Sequence, residues 1–132
     1  VCVDRINAFT VERLRTIMKS KPKKFLTHLE EWKRIMPTFE LIELSKGRGN
    51  LNDIDNTFAY SNNSVFVAVV LAHKLGATKI NIFGADFNTH AALNGNKLLA
   101  ALDDYKNLFE LFKEKGIKVT VSKGSKLNQI LK

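Results

Sequence analysis

The chain has 132 residues, enough to bury one core, and its 45% hydrophobic and 26% charged content excludes a disordered or fibrous protein. Its single cysteine, Cys2, excludes an internal disulfide and a cysteine-rich zinc site, and the longest apolar run, Val65–Ala72, is too short to span a bilayer. A net charge of +8 is concentrated early, since Val11–Arg34 holds eight Lys/Arg against three Glu. It is expected to be a solvated face that keeps the protein soluble, or else a surface that attracts phosphate-bearing partners.

In chain order, VCVD (1–4) reads as a short buried strand and RINAF as a loop. Thr10 is placed to cap a helix over Val11–Lys19, where Val11, Leu14, Ile17 and Met18 recur at helical spacing and Glu12 sits in the first turn. Pro22 marks the end of that segment. KFLTHL (24–29) is a second strand, EEWKRIM starts a short helix stopped near Pro37, and FELIEL (39–44) alternates as a third strand. Residues 45–61 open with SKGRGNLNDIDN, which has no periodicity and predicts a long flexible loop.

The apolar stretch 62–76 is rich in β-branched residues, yet its length and its Leu-Gly ending favour a buried helix capped by Asn63 or Ser64. KINIF (79–83) is a fourth strand, a long helix spans roughly 97–115, IKVTV (117–121) is a fifth strand, and Ser125 caps a last short helix. Strands and helices thus alternate throughout. Such alternation predicts one Rossmann-like, doubly wound α/β domain over 1–132, with a mainly parallel five-stranded sheet and helices on both faces. Ligands of such a sheet bind where loops leave the carboxyl ends of the strands. That rim is expected to gather Asp4–Asn7, the 45–61 loop, Gly84–His90 and Ser122–Ser125. A chain that opens on Val in a strand-like segment fits a domain lacking an N-terminal strand, and the sequence is expected to carry no signal peptide.

The segment SNNSVFVAVVLAHKLGATKINIFGADF resembles a superfamily of nucleotide-binding α/β proteins. This group includes bacterial sialyltransferases that use CMP-sialic acid, MptE-like hydroxymethylpterin diphosphokinases and many phage and bacterial proteins. The resemblance extends more weakly to VDRINAF, KKFLTHLEEW and SKLNQIL. It implies that Asn7 and Ser64 contact a nucleotide or nucleotide sugar, and that the chain is a cytoplasmic protein of a bacterial cell or a phage-infected host. The family's N-terminal Gly-Asn-Gly-Pro-Ser turn does not occur here, Val65 replaces a glycine and Asn88 a tyrosine. These departures imply reduced or lost transferase activity.

Among single residues, Asp86 suits either a sugar hydroxyl or a metal-diphosphate group, or else backbone N–H groups of the turn in which Gly84 lets the chain bend. His90 is the candidate acid–base group near the motif. His28 ends the second strand, and His73 belongs to a buried helix where a structural role is expected. Lys46 and Arg48 offer cations in a glycine-containing loop, which lacks the Gly-Lys-Ser/Thr ending of a P-loop. Asp53 and Asp55 do not extend to an EF-hand, so no protein metal site is expected, while a diphosphate substrate would leave room for a divalent ion. The rival expectation is a non-catalytic module whose basic surface binds a protein or nucleic acid.

Overall fold

Thr10 stops an extended segment and accepts the N–H of Arg13 through its side chain, which starts helix α1 at Val11–Lys19. In this computed structural model, which describes residues 1–85 and 95–131, the other elements are strands β1 (Phe25–Thr27), β2 (Phe39–Leu41), β3 (Leu44–Arg48) and β4 (Phe58–Tyr60), helix α2 (Ser64–Lys74), strand β5 (Lys79–Ile82), helix α3 (Gly95–Glu114), strand β6 (Lys118–Val121) and helix α4 (Lys126–Ile130). Two 3-10 turns, Ile6–Ala8 and Glu30–Arg34, complete the order. The protein is α/β, but the expected five-stranded doubly wound sheet is not formed. The strands make three separate two-stranded sheets, β1–β2, β3–β4 and β5–β6. The physical reason lies in what the pattern encodes: alternation with helices specifies parallel partners without specifying a common sheet.

The chain divides into two compact units, Val1–Leu44 and Ser45–Lys132. In the first, β1 and β2 run parallel with Phe25 opposite Phe39. The strand expected at 1–4 is reduced to a single parallel bridge between Cys2 and Thr27. Trp32 is fully buried, donates its indole N–H to the Asp4 carbonyl at 3.0 Å, and packs with Phe25, Cys2 and Met36. Phe9 meets it edge-on at 5.7 Å, and Leu14 and Ile17 bring the apolar side of α1 onto the same cluster. Burial pushes the Cys2 thiol pKa up.

In the second unit, β3 and β4 occupy part of the segment expected to be a loop over 45–61. Next, α2 buries Phe66, Val67, Val69 and Val70, and its ring Phe66 meets Tyr105 of α3 edge-on at 5.4 Å. Both α2 and α3 end in the same hydrogen-bonded turn. Ala77 N–H donates to Ala72 carbonyl at 3.0 Å and Ile117 N–H to Phe112 carbonyl at 2.8 Å, each one residue past a glycine. These turns feed directly into β5 and β6, which pair in parallel with Lys79 opposite Lys118. Parallel neighbours joined through a helix make β5–α3–β6 a βαβ unit. Ile80, Ile82, Leu108, Phe112 and Leu127 are buried on its inner side.

Candidate functional site

The carboxyl ends of β5 and β6 form one edge. Ser122 N–H donates to the Ile82 carbonyl at 3.0 Å, and the Ser125 hydroxyl donates to the Ala85 carbonyl, so the segments leaving both strands are tied together. Ser125 then caps α4 by accepting the Leu127 N–H at 3.2 Å. Its double role explains a serine that is only 2% exposed. Gly84 follows β5 with φ +72, and a Cβ there would meet no atom of the described residues within 4 Å. Its backbone conformation is what asks for glycine at this position. Asp86 and His90, the two groups expected to carry chemistry at this edge, lie outside the described residues.

Ser64 and Asn7 are the two further residues expected to contact a nucleotide. Ser64 is the first residue of α2 and half-buried, but the cap is Asn63. Its side-chain oxygen accepts N–H groups from Val65 at 3.0 Å and Phe66 at 3.3 Å, and also the Tyr105 hydroxyl. These donors of the first helical turn are thus already engaged by the protein itself. Asn7 is exposed in the 3-10 turn Ile6–Ala8 of the first unit, whereas Ser64 and Gly84 belong to the second. Ile6 N–H in that turn donates to Glu31 at 2.8 Å.

Lys46 and Arg48 stand on β3, both exposed. Arg48 approaches the carboxylate of Asp104 at 3.4 Å, and the buried Ser61 hydroxyl donates to the same oxygen at 2.7 Å. Gly49, with φ +73, lets its backbone come so close that a Cβ would lie 2.3 Å from an Asp104 oxygen. Asp104 thus clamps the β3–β4 sheet to α3, and Arg48 is engaged in that clamp. Asp104 was absent from the sequence-based candidates, although a signal for it exists. It stands three residues after Ala101 and four before Leu108, on the buried stripe of α3, where a carboxylate needs partners.

A second carboxylate cluster joins Asp55 to His73 at 2.8 Å and to Lys115 at 2.9 Å. The Lys115 and His73 bonds hold the Asp55 pKa below the usual carboxylate range. His73 also packs against Phe112 at 5.1 Å, the structural role expected of it. His28 is half-buried just after β1, and desolvation lowers its pKa. Among the described residues no cluster of His, Cys, Asp and Glu could hold a metal ion, and no helix is long and apolar enough to cross a membrane.

No protein-family model matches the sequence, no curated protein matches it, and no solved structure matches the fold.

Proposed function

We propose that the chain binds a nucleotide or nucleotide-linked substrate at the carboxyl edge of β5–α3–β6, in the manner of the sialyltransferase and MptE-like group that its sequence resembles. The observation that carries this reading is the shared edge itself. Gly84 and the 122–125 segment leave adjacent parallel strands and are joined by the Ser122–Ile82 and Ser125–Ala85 hydrogen bonds. In α/β units the carboxyl ends of parallel strands are where ligands bind. Asp86 follows Gly84 by two residues, and His90 serves as the base if a sugar or diphosphate group is transferred.

The test is calorimetric titration of the protein with CMP, CMP-sialic acid, GTP and ATP, with and without magnesium. Saturable binding of at least one, weakened about tenfold or more by Asp86→Ala, is the expected outcome. Absence of binding to all four overturns the reading.

A second reading, a module that binds a protein or nucleic acid through its basic first third, is favoured by the exposure of Arg15, Lys19, Lys21 and Lys23. It expects salt-sensitive binding that does not change with His90→Ala.

A further inference from the structure

The β5–β6 pair presents an exposed face built from residues of the second unit. Along β5 the side chains alternate, with Ile80 and Ile82 buried and Lys79 and Asn81 exposed. On β6, Lys118 and Thr120 are exposed in the same way. The parallel register sets Lys79 opposite Lys118 and Asn81 opposite Thr120, so the four share one face. Phe83 continues that face one step beyond β5 and is 80% exposed. The two faces of a parallel sheet are ordinarily both covered; this one presents cations, an amide and an aromatic ring.

The chemistry of the face is specific. Thr120 donates its hydroxyl to the Asn81 carbonyl oxygen at 2.5 Å, which leaves the Asn81 NH2 group without a partner among the described residues. Lys79 and Lys118 make no ion pair with any described residue. From Lys79 to Phe83 the strand advances about 13 Å. RNA-binding modules likewise stack bases on aromatic side chains exposed on a sheet. An acidic peptide would use the lysines and leave Phe83 in water. A lipid surface would need more apolar area than one ring. Single-stranded nucleic acid matches all three features, since every base has a stacking face, a hydrogen-bonding edge and a phosphate.

We propose that the β5–β6 face binds single-stranded nucleic acid, with phosphates at Lys79 and Lys118, a base stacked on Phe83 and a base edge at Asn81. This inference does not rest on the nucleotide reading of the carboxyl edge. It is tested by fluorescence anisotropy with labelled oligothymidylate and oligouridylate in low-salt buffer. Circular dichroism of each variant checks that it is folded. Binding is expected to weaken as salt rises, to fall roughly 5- to 150-fold in Phe83→Ala, as loss of one stacked base implies, and to persist in Phe83→Trp. The double variant Lys79→Glu, Lys118→Glu is expected to weaken binding and to flatten its salt dependence. No binding at low salt overturns the proposal. So does binding that ignores Phe83→Ala and disappears instead on changing Lys19, Lys21 and Lys23 to glutamate, which would place the contact in the first unit.

Discussion

Gly49 and Asp104 show how much one missing Cβ decides. The backbone of Gly49 lies against a buried carboxylate, and its φ of +73 belongs to a region that side chains resist. Replacing it with alanine adds the cost of that conformation, about 1–3 kcal/mol, to the displacement of Asp104 from Ser61. Urea unfolding of Gly49→Ala is therefore expected to show a loss of roughly 3 kcal/mol or more. A loss under about 1 kcal/mol would mean that the strand pair simply moves away from α3. Asp55 makes a different prediction, one about pH. Its folded pKa is depressed by Lys115 and His73, so the unfolded chain binds its proton first and the contribution to stability is present above the unfolded value, about 4. As pH falls through the folded pKa the contribution disappears. Denaturation midpoints of the wild type and Asp55→Asn should therefore differ most near neutral pH and converge in acid. A gap that widens on acidification would contradict this assignment.

At the scale of elements, caps determine where helices begin and carry contacts beyond the helix. Asn63 caps α2 and also accepts the Tyr105 hydroxyl from α3. Removing it should cost more than the typical 1 kcal/mol of a lost cap, because the buried phenol loses its acceptor as well. Unfolding of Asn63→Ala is expected to show a loss of about 2–3 kcal/mol, and much of the excess should vanish when Tyr105→Phe is the background. Additive losses in the double variant would show that the two groups act separately. These caps are also why helices were legible in the sequence. Thr10 and the Leu14–Ile17 spacing bounded α1 at the residues observed, and Ser125 marked the start of α4. Strands were harder. FAY of β4 is three residues long after an Asn- and Asp-rich run, and SKGR of β3 shows no apolar alternation, so neither carries a periodic signal. The Arg48–Asp104 pair joins residues far apart in the chain, and only the placement of Asp104 on an apolar helix stripe hinted at it. The turn expected at Gly84 was readable because a glycine directly ends an alternating strand.

For the molecule as a whole, each unit has its own core. Trp32, Phe25 and Met36 form one, and Phe66, Val70, Tyr105, Leu108 and Phe112 belong to the other. Trp32→Ala removes a fully buried indole and should cost about 3–5 kcal/mol in the first unit. Hydrogen exchange read by mass spectrometry is expected to show lost protection in β1 and the 30–34 turn, with α2 and α3 still protected. Uniform loss across both units would show that they unfold as one. The expectation of a single five-stranded sheet failed at this scale. Hydrophobic alternation reports which face of a strand is buried, and it is silent on which of several short strands lie side by side.

The division into strand pairs has a consequence for self-association. A two-stranded sheet leaves edges whose backbone groups could template another chain, the hazard that sheet proteins must contain. Here the strands run only three to five residues, which limits the hydrogen bonds any intruding strand could gain. Lysine is the first residue of both β5 and β6, so a strand added beside either would meet a cation at its start. Short strands, with a charged entrance to β5 and β6, thus work against aggregation without closing the sheets.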